Sequence, residues 1–345
     1  MQLPREVFVG NNTLELIGDI CRKLGFSKSA LIVTGSNTKT VAGQKVMDLL
    51  ADHGMDVDCA IVTSSTIEDL RIVKEKIKEL QPQLVLGVGG GTKIDVAKLS
   101  SANQNVPFIS VPTTASHDGI ASPLGAIKGL NKPFSVMAQA PMAIVADTQV
   151  IMHSPYRLIA SGCGDTISKL TAVRDWRLAH DKKNDYYGGY ADSLALMSAQ
   201  LVMKSADTIK PKDEQGLRVL LEALISCGVA MSIAGSSRPG SGSEHLFSHA
   251  LDLIASQPAL HGEQCGVGTI LMARLHHINW KRIKEKLRMV GAPTTAKELG
   301  VKPKHVIEAL VKAYTVRPER YTILDEKRLD PDSAEKLARA TGVID

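Results

Sequence analysis

Short apolar runs alternate with amphipathic segments along roughly the first 150 residues of the chain. The runs predict buried strands at 30–34, 57–62, 84–88, 106–111 and 142–145. The segments between them carry apolar positions at helical spacing. Because continuous apolar strands separated by helices are typical of a parallel sheet covered on both faces, this half predicts an α/β domain with a Rossmann-like sheet. The stretch 123–137, with Gly129 and Asn131 near its middle, predicts a β-hairpin inserted late in this domain.

The pattern changes after Pro155, where strand-forming residues become scarce and the helical period dominates. Helices are predicted at 155–181, 189–209, 214–234, 241–256 and 263–278. The sequence therefore predicts two domains, an α/β domain over residues 1–152 and an all-helical domain over residues 153–345.

Composition narrows the class of protein. With 44% hydrophobic and 22% charged residues the chain is an ordinary globular protein, and its formal charge of +5 comes with no basic run interleaved with aromatics, which argues against nucleic acid as a partner. No run of eighteen apolar residues and no signal-peptide layout occur, so we expect a cytoplasmic protein without membrane insertion. The five cysteines form no CxxC pair and are interpreted as reduced packing residues, including Cys163 and Cys265.

The strand predicted at 84–88 runs directly into a glycine-rich turn and a helix. The turn consists of Gly89, Gly90, Gly91, Thr92 and Lys93. Glycines let backbone N–H groups approach a pyrophosphate, and the positive end of the helix favours its charge. Thr92 is a candidate cap for that helix. The turn lacks the third glycine of GxGxxG and is not a GxxxxGK[ST] loop, so a glycine turn without a ligand remains the alternative.

A second polar loop follows the next predicted strand. It contains Thr113, Thr114, Ala115, Ser116, His117, Asp118 and Ser122. Because loops at the carboxyl ends of neighbouring parallel strands share one edge of a sheet, we expect this loop to face the triglycine turn. Its hydroxyls suit phosphate or ribose, and the Asp118 carboxylate suits a substrate hydroxyl.

A candidate metal site lies in the helical half. His245 and His249 are four residues apart and would project from one helix face, with His261 at a probable helix start and Asp165 in a glycine-marked segment. Two imidazoles and one carboxylate leave a coordination position open on a divalent ion, which is the layout of a catalytic site. The spacing does not decide between His245 and His249 as ligand. Two histidines on an amphipathic helix without a metal remain the alternative.

These motifs together resemble the superfamily of dehydroquinate synthase, glycerol dehydrogenase and the iron-containing alcohol dehydrogenases. The resemblance rests on the triglycine turn, the Pro-Thr-Thr-x-Ser loop, Gly-x-Gly-Asp, His-x-x-x-His and His-Gly-Glu, and it covers essentially the whole chain. The segments 116–123 and 242–249 are most similar to the archaeal sn-glycerol-1-phosphate dehydrogenases. The implied fold is dehydroquinate synthase-like.

The resemblance also implies roles for the residues. Asp165, His245 and His261 would hold the metal, usually zinc, one per subunit. The dinucleotide would be held by Gly89, Gly90, Gly91, Thr92, Lys93, Thr113, Thr114, Ala115, Ser116 and Ser122. Asp118, His249 and Asp165 would face the substrate as the catalytic set. We also expect a homo-oligomer.

The implied reaction is the reversible, NAD(P)-dependent reduction of dihydroxyacetone phosphate to sn-glycerol 1-phosphate, a precursor of archaeal membrane glycerophospholipids. The alternatives are a glycerol dehydrogenase acting on unphosphorylated polyols and a lyase similar to dehydroquinate synthase. A non-catalytic nucleotide- or sugar-phosphate-binding module and a two-histidine, one-carboxylate iron oxygenase are further alternatives, the oxygenase sharing only the ligand count.

Two choices stay open at the level of sequence. Asn37 stands where an acidic residue would select NAD, and Lys39 is nearby, so use of both NAD and NADP is expected. Lys128, Lys169 and Arg238 are candidates for the substrate phosphate, although each is more readily interpreted as a solvated surface charge.

Overall fold

The computed structural model describes residues 1–127, 134–211 and 213–345, which form two compact units, 1–155 and 156–345. The first unit is an α/β structure. Its strands are β1 (Glu6–Gly10), β2 (Ser29–Thr34), β3 (Asp56–Ile61), β4 (Leu84–Gly89), β5 (Phe108–Pro112), β6 (Leu124–Ile127), β7 (Phe134–Met137) and β8 (Ala143–Asp147). Its helices are α1 (Ile17–Lys23), α2 (Ser36–Thr38), α3 (Gln44–Asp52), α4 (Ile67–Leu80), α5 (Gly91–Asn103) and α6 (Thr148–Met152).

Six of these strands form one parallel sheet in the order β1-β8-β5-β4-β2-β3. The central strand β4 is buried at every position, as expected of a strand covered on both faces. The five strands predicted from apolar runs are confirmed, with bounds shifted by up to two residues. The sequence interpretation missed β1, whose Val7 is exposed and whose burial is only partial, so its apolar run is short and weak.

The predicted hairpin is confirmed as β6 and β7, which pair antiparallel from Leu124 with Met137 to Ile127 with Phe134. Residues 128–133, among them Lys128, Gly129 and Asn131, lie outside the described residues.

The second unit is helical throughout the described part of 156–345. Its helices are α7 (Tyr156–Ile167), α8 (Lys169–Lys183), α9 (Gly189–Lys204), α10 (Glu214–Ala234), α11 (Ser243–Ile254), α12 (His261–Leu275), α13 (Trp280–Met289), α14 (Pro303–Val316), α15 (Ile323–Lys327) and α16 (Pro331–Ala340). One helix, α10, is long and apolar enough to cross a membrane, but 67% of its apolar window is buried inside the protein, as in a core helix.

The helix predicted over 155–181 is divided into α7 and α8. The hydroxyl of Ser168 donates to the backbone carbonyl of Asp165 at 2.6 Å, and side-chain bonds of this kind compete with the regular helical pattern. The interruption places Asp165 in the last turn of α7 and Lys169 at the first position of α8.

Candidate functional site

The triglycine turn joins the centre of the sheet to α5. Gly90 is the N-cap residue of α5, and its carbonyl accepts from the N–H of Lys93 at 2.9 Å. No side-chain cap is present, so the prediction that Thr92 caps the helix is wrong: Thr92 is the second residue of the helix. The backbone N–H groups of the first turn are therefore not consumed by a side-chain cap, as an anion site at a helix N-terminus requires.

The second polar loop lies beside this turn, as the order of the strands predicts. The N–H of Thr113 donates to the carbonyl of Gly89 at 3.0 Å, continuing the pairing of β5 with β4. A Cβ atom on Gly90 would stand 3.3 Å from the hydroxyl of Thr114, and one on Gly91 would stand 1.7 Å from His117 Nε2. Close approach of the two loops therefore requires glycine in the turn.

Lys98, on α5, fixes the far end of the polar loop, a role the sequence interpretation did not assign to it. Its side chain is fully buried and donates to the carbonyls of Gly119 at 2.7 Å and Leu124 at 2.6 Å. Burial lowers the pKa of Lys98, while Asp95, 3.6 Å away, opposes that shift. The segment held in this way carries two predicted site residues, Asp118 and Ser122.

The β2–α2 turn lies on the other side of the triglycine turn. A Cβ atom on Gly35 would meet Lys93 Cε at 2.6 Å, and the N–H of Gly35 donates to Thr38 Oγ1 at 2.8 Å. Asn37, in the short helix α2 that ends this turn, is exposed. The predicted dinucleotide residues thus lie on adjacent loops at one edge of the sheet.

The helical unit brings together the three predicted metal ligands. Asp165, His245, His261 and Cys265 each offer one donor atom, and these atoms all lie within 4.8 Å of one another. The Asp165 Oδ1 to His245 Nε2 and His261 Nε2 to Cys265 Sγ distances are both 3.6 Å. Donors bound tetrahedrally to zinc lie about 3.3–3.7 Å apart, so these two separations match those around such an ion.

Cys265 is the member of this cluster that the sequence interpretation missed. It was assigned to core packing, and its thiol is indeed buried, but it lies one helical turn after His261 on the same face of α12. The i, i+4 spacing of His261 and Cys265 was the signal available in the sequence.

Two glycines allow the cluster to form. A Cβ atom on Gly164 would stand 2.2 Å from the carbonyl oxygen of Gly262, and a Cβ atom on Gly262 would stand 1.9 Å from the carbonyl oxygen of Ser161. Helices α7 and α12 therefore touch backbone to backbone, which only glycine permits, and Asp165 comes beside His261.

Side chains outside the donor cluster hydrogen-bond to the candidate ligands and fix their orientation. His245 Nδ1 lies 2.8 Å from Glu244 Oε1, which leaves Nε2 for a metal, and Glu244 Oε2 accepts from Thr171 Oγ1 at 2.7 Å. A carboxylate on the second nitrogen of a metal-binding imidazole sets its tautomer and orientation. Lys169 Nζ donates to Asp165 Oδ1 at 2.8 Å.

The start of α12 is fixed by an ion pair. Arg157 Nε and Nη2 donate to the two carboxylate oxygens of Glu263 at 2.6 and 2.7 Å, and Glu263 also accepts from the N–H of Leu260 at 3.0 Å. This bidentate pair holds the helix end that carries His261.

The cluster is electrostatically suited to a cation. Burial alone would raise the pKa of Asp165, but Lys169 and the two imidazoles hold it well below its ordinary value, so the carboxylate is charged. Burial alone would lower the pKa of His245, but Cys265, Asp165 and Glu244 raise it well above its ordinary value. An imidazole that gains a proton so readily lies in a negative potential, which equally favours a metal ion.

His249 lies one turn beyond His245 and outside the donor cluster. Its ring stacks on His261 with 6.0 Å between centroids. Burial, together with His245, Arg317 and Arg320, lowers its pKa to about 3, so the imidazole is neutral. Its Nδ1 is buried and has no hydrogen-bond partner among the residues described, as expected of a polar atom that a ligand would satisfy.

Three basic residues were suggested from the sequence for the substrate phosphate. Lys169 and Arg238 are not solvated surface charges: Lys169 is fully buried against Asp165, and Arg238 is 9% exposed and paired with Asp185. Lys128 lies outside the described residues. His276, which follows α12, has a structural role, because its Nε2 lies 2.9 Å from Asp175 Oδ1.

Comparison with known proteins agrees with this arrangement. The sequence pattern of the iron-containing alcohol dehydrogenases matches residues 8–155. The chain is 53% identical to the glycerol-1-phosphate dehydrogenase [NAD(P)+] of Methanosarcina barkeri, over all of the chain and 96% of that protein. It is 52% identical to the enzyme of the same name from Pyrococcus furiosus, over all of the chain and 99% of that protein.

Among solved structures, the fold is similar to that of glycerol dehydrogenase from Schizosaccharomyces pombe, with a TM-score of 0.82 and 21% identity over 99% of this chain and 89% of the other. The α/β unit followed by a helical unit is thus the dehydroquinate synthase-like arrangement expected from the sequence. By its full-length relatives, the chain belongs to the family of the glycerol-1-phosphate dehydrogenases.

Proposed function

We propose that this protein catalyses the reversible, NAD(P)-dependent and metal-dependent reduction of dihydroxyacetone phosphate to sn-glycerol 1-phosphate. The observation that carries the proposal is the buried set of Asp165, His245 and His261, whose donor atoms converge in the helical unit. The names of relatives more than 50% identical over the full chain give the substrate class. We further propose a cytoplasmic homo-oligomer whose product enters membrane glycerophospholipid synthesis.

Asp165, His245 and His261 would hold the ion, with Cys265 adjacent as a fourth donor. Bound there, a divalent metal supplies Lewis-acid polarisation of the ketone carbonyl. The mixed carboxylate, imidazole and thiol set favours zinc among the common divalent ions. Glu244 and Lys169 keep the ligands oriented and ionised before the substrate arrives.

His249 is proposed to bind the substrate directly. A neutral imidazole with an unsatisfied buried Nδ1 can accept a hydrogen bond from a substrate hydroxyl or donate one to a substrate oxygen, depending on its tautomer. Because its pKa is held to about 3, His249 orients the substrate rather than acting as a charged acid near neutral pH. Asp118 is proposed to position a second hydroxyl, and orientation of this kind lowers the barrier by several kcal/mol.

The dinucleotide is proposed to lie on the α/β unit. Gly89 to Lys93 would bind its pyrophosphate through the first turn of α5, and Thr113 to Ser116, with Ser122, would bind toward the nicotinamide. The cofactor supplies the hydride, and the protein orients it. With Asn37 exposed in place of an acidic residue, NADP is accepted as well as NAD.

Consumption of NADH or NADPH with dihydroxyacetone phosphate, measured before and after chelation and with the chirality of the product determined, tests the proposal. We expect reduction to sn-glycerol 1-phosphate, loss of turnover with chelator and recovery with added Zn²⁺. Faster reduction of unphosphorylated dihydroxyacetone would favour a glycerol dehydrogenase. No net nicotinamide oxidation with any ketose phosphate would favour a lyase, and reduction that survives complete metal removal would contradict the metal-dependent reaction.

A further inference from the structure

Three arginines gather near the N-terminal end of α11, the helix that carries His245 and His249. Arg238 comes from the loop before α11, and Arg317 and Arg320 come from the loop between α14 and α15. The Arg320 guanidinium donates to the carbonyl of Ser241 and to Ser237 Oγ, the latter at 2.6 Å. Because Ser241 is two residues before the start of α11, this guanidinium is fixed at that helix end.

Arg238 connects the loop before α11 to the loop between α14 and α15. Its Nη1 donates to the carbonyl of Tyr321 at 2.8 Å, and its Nη2 is paired with Asp185. With one carboxylate bound directly, Arg238 is largely neutralised. Its position in the cluster is therefore that of a support for the loop that carries Arg317 and Arg320.

The guanidinium groups of this cluster are crowded against one another. Burial first, and then Arg317 and Arg238, lower the pKa of Arg320 to about 9, although Glu319 and Glu244 act in the opposite direction. Glu244 is itself hydrogen-bonded to Thr171 and adjacent to His245 Nδ1, so it serves the metal ligands. Crowding of like charges in a partly buried site is stabilised when an anion binds between them.

The cluster also lies along α11, the helix that carries the substrate-facing His249. Helix α14 packs along α11 and ends at Val316. Arg317, the next residue, therefore lies beside α11. Arg317 is partly exposed, and Arg320 uses only part of its five N–H donors in the two bonds to Ser241 and Ser237.

We propose that Arg317 and Arg320 bind the phosphate group of the substrate, with Arg238 as a positioning residue. The inference rests on the proposed function and adds to it the side chains that distinguish a phosphorylated ketose from a free one. A planar guanidinium matches two phosphate oxygens at once, which a lysine cannot do. Of the candidates from the sequence, Lys169 is committed to Asp165 and Arg238 to Asp185, so neither is the principal phosphate ligand.

The test compares dihydroxyacetone phosphate with dihydroxyacetone as substrates of the metal-loaded enzyme. For Arg317→Ala, we expect kcat/KM for the phosphorylated ketose to fall about 10- to 100-fold, mainly through KM. Turnover of the free ketose and the KM for NADH should not change. Arg317→Lys should recover only part of the loss. Arg218→Ala, which removes an exposed arginine paired with Glu222, is the matched control and should change neither substrate.

Inorganic phosphate provides a second measurement that does not depend on turnover of the phosphorylated ketose. We expect phosphate to compete with dihydroxyacetone and to raise the thermal midpoint of the wild type, and both effects to weaken in Arg317→Ala and Arg320→Lys. Equal loss on both substrates, or phosphate effects that survive both substitutions, would overturn the inference. If instead the wild type prefers the free ketose while phosphate still binds through these arginines, the proposed function fails and the anion site stands.

Discussion

The two candidate binding regions of this protein differ in the atoms that form them, which are backbone atoms in one region and side chains in the other. At the sheet edge, the candidate dinucleotide site is made of backbone: three consecutive glycines, a helix N-terminus and a neighbouring loop held against them. In the helical unit, the candidate metal site is made of side chains that α7, α11 and α12 contribute from positions far apart in sequence. A backbone site is damaged by adding atoms, whereas a side-chain site is damaged by removing them.

Removal of one of the candidate metal donors should lower kcat/KM more than any other substitution. In His261→Ala the cluster loses one imidazole, and we expect kcat/KM to fall by at least about a thousandfold because the carbonyl is no longer polarised. Metal content by elemental analysis should drop in parallel, while binding of NADH, measured by fluorescence, should persist. His305→Ala removes a histidine of the same unit outside the cluster and should leave both unchanged. A variant that retains full metal and activity would remove His261 from the ligand set.

The second-largest effect is expected when a methyl group is added to the triglycine turn at the sheet edge. In Gly91→Ala the new Cβ would stand 1.7 Å from His117 Nε2, whose ring is anchored because His117 Nδ1 accepts from the N–H of Gly119 at 3.0 Å. We expect the KM for NAD(P)H to rise about a hundredfold as the turn is displaced by about an ångström. Metal content should stay at the wild-type level.

The matched control for that substitution is Gly10→Ala, because a Cβ atom there would meet only Thr13 Cγ2 at an ordinary 3.7 Å. If Gly91→Ala bound the dinucleotide as tightly as Gly10→Ala, the triglycine turn would not be the pyrophosphate site.

A smaller effect, on metal affinity, is expected from Glu244, which contacts a candidate ligand but is outside the donor cluster. Glu244→Gln keeps the shape of the side chain but removes the negative charge beside His245 Nδ1. We expect the metal affinity, measured by competition with a chromogenic chelator, to weaken about tenfold. Glu222→Gln on the exposed face of α10 is the control. Unchanged affinity in Glu244→Gln would mean that this carboxylate serves only to accept from the N–H of Gly242 at the start of α11, a bond of 2.6 Å.

The smallest effect concerns the choice of cofactor. Asn37→Asp places an exposed carboxylate on the β2–α2 turn, where it would repel a ribose 2′-phosphate and accept from a ribose 2′-hydroxyl. We expect the ratio of NADPH to NADH efficiency to fall about fivefold, as for a solvent-screened charge. The measurement is kcat/KM with each cofactor at fixed ketose. A ratio that does not move would place the 2′-position elsewhere.

The sequence predicted the sheet edge well because its signals are contiguous. A fully apolar strand, three glycines and a following helix are read from a dozen adjacent residues, and parallel strand order brings the next loop alongside. The candidate metal ligands were predicted for another reason: their residue types are rare and their spacing is helical. The split between His245 and His249 came from family resemblance and not from spacing, and the structure places only His245 in the donor cluster.

What the sequence could not predict depends on long-range packing. Lys98 and Lys169 are charged, so by default they are predicted on the surface, yet both are fully buried because each is given acceptors by segments that fold onto it. Arg317 and Arg320 lie between helices in a polar stretch with no motif, and only the packing of α14 along α11 brings them near His249. Interactions of this kind have no local period or composition to reveal them.

The backbone contact between Gly164 and Gly262 has a thermodynamic consequence. Since Asp165 and His261 become neighbours only when α7 and α12 are docked, an unfolded chain offers the ion no comparable site. Binding of a metal by these residues would then be linked to folding of the helical unit, which would gain about 2.7 kcal/mol when free metal is a hundredfold above its dissociation constant. The lifetime of this enzyme in the cell would therefore follow the supply of its ion, and scarcity of metal would lower the amount of enzyme as well as its activity.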